Sequence, residues 1–269
     1  MIRNCACLAR KILNNNTPYS FNKQMIQRVF TEPFREFDQY KRVYLRLTVI
    51  DAYYTTNATK HHYNIEEIAN SLARYNDDNL KSKFANFISN PTNNHEIFLI
   101  LDGQYGINQA GPSRCTSLIS KYAYFLTDLK FPIYDGNARE SLNTLKKAGF
   151  FDQIGNNWNN GNNILNFFFN ISHVNDQYFN DFDLLDNLLW LIKEVRDGKF
   201  HLFLRREQYM NLVNLIGNKI EFHSVLNALN NNQNFFNFMN DELPDLLRFI
   251  RFVSTMNINE CNGECNDEI

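Results

Sequence analysis

The sequence predicts an all-α protein, and three observations carry that prediction. Apolar residues recur every three to four positions along most of its 269 residues. No alternating segment returns at hairpin spacing, and no long internal repeat is present. The chain holds 42 Asn against 10 Gly and 6 Pro, a composition that suits helices joined by polar, Asn-capped loops.

In chain order, the spacing predicts a first helix over Asn22 to Phe30. A second runs from Gln39 to Tyr54, with Tyr40, Val43, Tyr44, Leu47 and Ile50 on one face. Asn64 opens the next as an N-cap, with Glu67 at the capping-box position. Lys81 to Ser89, Thr116 to Leu126, Asn137 to Ala148, Leu184 to Arg196, Arg206 to Ile216 and Asp241 to Val253 follow. The run Gly155 to Asn163, almost all Asn and Gly, reads as a linker or loop. The expected organisation is an N-terminal helical segment over 1–35, a core domain over 36–150 and a helical C-terminal region over 151–269. Phe167, Phe168 and Phe169 are expected in the core of that last region.

Charge narrows the function classes. The net charge is −2, from 27 Lys and Arg against 29 Asp and Glu, which by itself argues against a nucleic-acid partner. Four acids and no base fall in the last fourteen residues, however, while residues 110–150 carry a local excess of three positive charges able to attract phosphates. Five Cys cannot all pair and do not form a secreted disulfide framework, so the expected location is a reduced intracellular one, cytoplasmic or in the nucleoid or nucleus. The longest apolar runs are five residues, too short for a membrane span. The six His show no zinc-like pairing, Cys261 and Cys265 are isolated in the tail, and no Gly-rich phosphate loop is present. No metal and no cofactor are expected.

The chemistry-bearing stretch is Arg114 to Leu142, a helix, a short turn, an extended Phe131-Pro-Ile-Tyr134 and then Asp135 before a second helix. Asp135 is well placed as an N-cap there, and Asn137 with Glu140 offers a competing capping box. The same stretch resembles the core of the helix-hairpin-helix (HhH-GPD) DNA glycosylase superfamily. Phe131-Pro-Ile-Tyr-Asp-Gly-Asn137 is similar to the F-P-I-x-D-G-N of its adenine-mismatch branch. Asp135 lies 18 residues after Ser117, the position that is Lys in the bifunctional members and Ser in the adenine-specific ones. Upstream, Asp51-Ala-Tyr-Tyr-Thr-Thr-Asn57 resembles the family stretch that carries the base-stack wedge.

The resemblance implies a DNA partner with a flipped base and a monofunctional glycosylase that hydrolyses the N-glycosidic bond. In that picture Asp135 is catalytic and stabilises the sugar cation. Tyr53 or Tyr54 wedges the stack, and Arg114, Lys121 and Arg139 meet phosphates, with Ser117 and Asn137 completing the DNA contact. Without Lys at 117, no Schiff-base nucleophile is expected there and no strand is cut. The sequence departs from the family in three places. Gly111-Pro-Ser-Arg-Cys115 replaces the L-P-G-V-G hairpin, Val49 stands where the adenine-specific enzymes carry Glu, and the four-Cys cluster is missing. Those departures exclude an adenine glycosylase proper. They leave two further readings: a glycosylase-fold protein that binds DNA or a partner without excising, and a degenerate relative of Fic-type nucleotidyl transferases. The latter follows from Asp135-Gly-Asn-Ala-Arg139, but Phe131 stands where those enzymes hold their His base.

Overall fold

A computed structural model describes residues 1–32, 34–54, 65–91, 95–102, 115–151, 161–218 and 220–263. Every regular element among them is helical, so the all-α prediction holds. The α-helices are α1 (Ile2–Leu13), α2 (Pro18–Thr31), α3 (Gln39–Tyr54), α4 (Ile65–Leu72), α5 (Asp77–Ser89), α6 (His95–Asp102) and α7 (Thr116–Leu126). They continue with α8 (Gly136–Lys147), α9 (Gly161–Val174), α10 (Phe182–Arg196), α11 (Arg206–Ile216), α12 (Phe222–Asn231), α13 (Gln233–Glu242) and α14 (Pro244–Gly263). None among the described residues is long and apolar enough to cross a membrane.

Where helix ends differ from those the periodicity predicts, the caps give the reason. Helix α2 starts at Pro18, before Asn22, because Thr17 and Ser20 form a reciprocal cap: each hydroxyl accepts the other's backbone N–H at 3.1 Å. Pro18 fits the first turn with its fixed φ and missing N–H. Helix α5 starts at Asp77, not Lys81, since Asn76 accepts the Asn79 N–H at 2.8 Å and two acids occupy the first turn. The expected helix from Asp241 is two elements. Asn232 caps α13 through the Phe235 N–H, and Pro244 opens α14. Part of the expected 155–163 loop is helical, as α9 begins at Gly161; the rest of that run lies outside the described residues.

The chain clusters into two compact units that are interleaved in sequence. The first comprises Met1–Phe21, Asn137–Ile154 and Leu184–Ile269; the second comprises Asn22–Gly136 and Gly155–Asp183.

In the first unit α1 packs against α14, and α11, α12 and α13 pack on one another. Tyr19 stacks at 4.4 Å on Trp190 while its hydroxyl donates to the Asn187 amide oxygen at 3.0 Å. Gly198 turns the chain after α10 with φ +71, and a Cβ there would sit 2.2 Å from the Ile220 carbonyl oxygen, so no other residue fits.

The second unit is built around α7. From Leu118 to Leu126 every residue of this helix is buried, which marks it as a central helix packed on all sides, not an amphipathic surface one. Helices α3, α5 and α6 pack against it, and α9 packs on α5 and α6. Phe131 is the centre of an aromatic cluster with Phe84 at 5.2 Å, Phe168 at 5.4 Å and Phe87 at 6.2 Å. Phe167 and Phe168 are buried as expected; Phe169 points outward, 56% exposed. A π-helical turn, Asn175–Phe179, ends α9 and is closed by Asn180 in the left-handed region.

Two buried cations in this unit are matched to acids, Lys23 and Arg46. Lys23 pairs with Asp183, which also accepts the Tyr124 hydroxyl at 2.5 Å. Arg46 donates to Asp77 at 2.8 Å and to the Phe30 carbonyl at 3.2 Å. Burial pushes the Asp77 carboxyl upward, but the Gln39 amide and the Arg46 guanidinium outweigh it and hold the group below its ordinary value. Asp77 therefore contributes stability that is complete above the unfolded-state value near pH 4 and is lost as the pH falls through the folded one. Asp77→Ala is expected to destabilise the second unit by about 3 kcal/mol at pH 7, because it strands a buried guanidinium. It should also flatten the acid limb of stability below pH 4, as read by hydrogen exchange in α3 and α5 across pH.

Candidate functional site

The site forms where the extended segment after α7 folds back on that helix. Phe131 and Tyr134 pin the segment to the aromatic core, Tyr134 edge-on to Phe167 at 5.0 Å. Ser120 then fixes the backbone: its hydroxyl accepts the Tyr134 N–H at 3.0 Å and donates to the Ser117 carbonyl at 3.0 Å. The next residue, Asp135, stands immediately before α8 and meets Lys121.

Lys121 is buried, with its side chain 4% exposed, whereas Asp135 is 23% exposed and forms the outward half of the pair. The Lys121 Nζ donates to Asp135 Oδ2 at 2.9 Å and to Ser117 Oγ at 2.8 Å. It lies over the Tyr54 ring, 5.3 Å from the centroid. Ser117, Lys121 and Phe125 follow one another at four-residue spacing on a single stripe of α7, and Tyr54 covers the far end of that stripe, 6.1 Å from Phe125. The result is a partly exposed carboxylate whose Oδ2 is held by Lys121 beside the aromatic rings of Tyr54 and Phe125.

Four of the residues singled out from the sequence, Tyr54, Ser117, Lys121 and Asp135, are thus brought together. Two of them have other tasks than expected. Lys121 does not reach out to phosphate: α7 is buried all round, so its ammonium needs an internal counter-charge, and Asp135 supplies it. Tyr54 is not shaped as a wedge, since its ring is held between Lys121 and Phe125; Tyr53, 40% exposed at the end of α3, is the outward one of the two. Position 117 itself holds no amine, and Lys121 brings an Nζ to the Ser117 hydroxyl from one turn away.

Asn137 and Arg139 belong to the first unit by clustering. The half-buried Asn137 side-chain amide donates to Glu194 at 2.9 Å. Arg139 is half-buried on α8, and Val49 is half-buried on α3. Arg114, the Gly111 to Arg114 part of the hairpin match, and His61 and His62 lie outside the described residues. Ser120 carries no motif signature and was not foreseen; its only sequence signal is its place three residues after Ser117. Among the described residues, no group of three or more His, Cys, Asp or Glu is placed to hold a metal. A cleft of about 400 Å³ in the first unit, bounded by Lys11, Thr17, Gln208 and Asp245, is not part of this arrangement.

Glu194 is the second unusual carboxylate. Burial holds its carboxyl above the ordinary value, aided by Asp197 and opposed by Lys199 and Asn137. One of its oxygens, Oε2, has no hydrogen-bond partner; Lys199 approaches it only to 3.5 Å. Comparison with protein-family models, curated proteins and solved structures returns no match for this chain. The stability linked to a raised carboxyl is fully present below the unfolded-state value near pH 4.3 and is lost as the pH rises through the folded one. Glu194→Gln, which stays neutral, is expected to remove that loss, so hydrogen-exchange protection of α10 should fall less between pH 4 and pH 8 than in the wild type.

Proposed function

We propose that this chain is a DNA-binding, base-excising hydrolase in which Asp135 stabilises the positive charge that grows on the sugar as the N-glycosidic bond breaks. One observation carries the reading: residues named from two separate stretches of sequence, Tyr54 from one and Ser117, Lys121 and Asp135 from the other, meet around a single partly exposed carboxylate. Tyr53, exposed at the end of the same helix, is the side chain available to fill the gap left by a flipped nucleotide, and the Tyr54 ring forms a wall of the site. Ser117, at the position where the bifunctional members carry Lys, has no amine to form a Schiff base, so the reaction proposed is hydrolysis without strand cleavage.

Gly136 supports the same reading. It is exposed, its φ is not in the left-handed region, and a Cβ there would meet nothing within 4 Å, so the fold itself does not require glycine beside Asp135. A substrate backbone passing close to the start of α8 does give a reason for it.

A second reading is favoured by the completeness of the Lys121–Asp135 pair, which satisfies both charges without any substrate. Under it the chain binds DNA and excises nothing. Abasic-site formation on oligonucleotides bearing damaged, mismatched and modified bases separates the two. Product from the wild type on at least one substrate, and none above background from Asp135→Asn, is the expected result. No product on any substrate, with salt-sensitive DNA binding retained, establishes the non-excising reading, and absence of DNA binding removes both. Gly136→Ala is expected to leave the fold as stable or stabler by up to about 1 kcal/mol while slowing base release. Thermal melting and single-turnover assays of that variant check the two halves of the statement.

A further inference from the structure

On α7, Lys121 is the one cation, and the other buried side chains are Thr, Leu, Ile, Ser, Tyr, Ala and Phe. As a stabiliser the Lys121–Asp135 pair is a poor choice. Desolvating both charges offsets most of their attraction, and a well-packed apolar pair of similar volume serves stability as well or better. What an ion pair supplies that Met or Leu does not is direction. Nζ is held from three sides, by Ser117 Oγ at 2.8 Å, by Asp135 Oδ2 at 2.9 Å and by the face of the Tyr54 ring. The backbone leading into Asp135 is fixed separately through the Tyr134 N–H on Ser120. A carboxylate whose backbone is held and whose Oδ2 is bound by Lys121 has little freedom left.

We propose that Lys121 is the positioning residue of this site: with Ser117 and Tyr54 it fixes the orientation of the Asp135 carboxylate toward the reacting sugar. The inference rests on the base-excision reading above. The same unit contains a second buried Lys–Asp pair, Lys23 with Asp183, which supplies an internal control for a purely structural role.

The test measures DNA affinity, thermal stability and single-turnover abasic-site formation for the wild type, Lys121→Met, Lys121→Arg, Lys23→Met and Asp135→Asn. Lys121→Met and Lys23→Met are expected to lose stability alike, but only Lys121→Met should release base more slowly, by about 100-fold, the scale on which a misplaced reacting group lowers a rate. DNA affinity should stay within about twofold of the wild type, since a positioning defect acts on the chemical step. Lys121→Arg, which keeps the charge but not the reach, should fall between Lys121→Met and the wild type. A Lys121→Met rate equal to that of Lys23→Met overturns the proposal; if Lys121→Met does not fold, a wild-type rate in Lys121→Arg overturns it instead. Wild-type rates in the Lys121 variants beside an inactive Asp135→Asn remove the positioning role alone. No product from the wild type, or an Asp135→Asn variant as active as the wild type, removes the base-excision reading and the positioning role with it.

Discussion

A helix buried on every side can carry a charge only if another element brings the opposite charge to it, and α7 of the second unit is such a helix. Lys121 requires Asp135, and Tyr124 shares Asp183 with Lys23. On the flanking helix α3, Arg46 requires Asp77. Each requirement fixes a different piece of chain: the segment after α7, the first turn of α10, and the start of α5. The polar groups in this interior therefore act as addresses. An apolar core of the same volume tolerates sliding and repacking, whereas a buried ammonium tolerates one partner in one place.

The same constraint explains the order of residues in the motif stretch. Phe131 fills the aromatic core, Tyr134 closes it and hands its N–H to Ser120, and Asp135 then arrives at Lys121. Packing, backbone hydrogen bonding and charge pairing act on three positions within five residues. N-capping and catalysis looked like rival explanations of Asp135 when only its neighbours in sequence were considered. A third role, counter-ion to a buried lysine, is the one the fold imposes first.

The local parts of this architecture were legible in the sequence. Helices α3, α7 and α11 begin and end where their apolar spacing says. Helices α1, α6, α9, α12 and α13 were not foreseen. Helix α6 is an almost continuous apolar run with little periodic contrast, and α9, α12 and α13 are so rich in Asn that they read as loop. At the site, Asp135 and Ser117 were found through a spacing in the chain, which a sequence displays directly. The part played by Lys121 depends on whether its helix is surface or core, and that is decided by α3, α5 and α6, far away in sequence. The two tyrosines could be named as a pair, but which one faces outward depends on the rotation of α3 against α7. The commitment of Asn137 to Glu194, 57 residues on, is equally a fact of tertiary structure.

The interleaving of the two units sets the order in which their pieces become available during synthesis. Helix α1 is synthesised well before its packing partner α14, which begins at Pro244, more than two hundred residues later. The second unit, by contrast, has all its pieces once Asp183 has emerged. The unit holding Asp135 is therefore complete in sequence at a point where the amphipathic α1 still lacks the helix that packs against it.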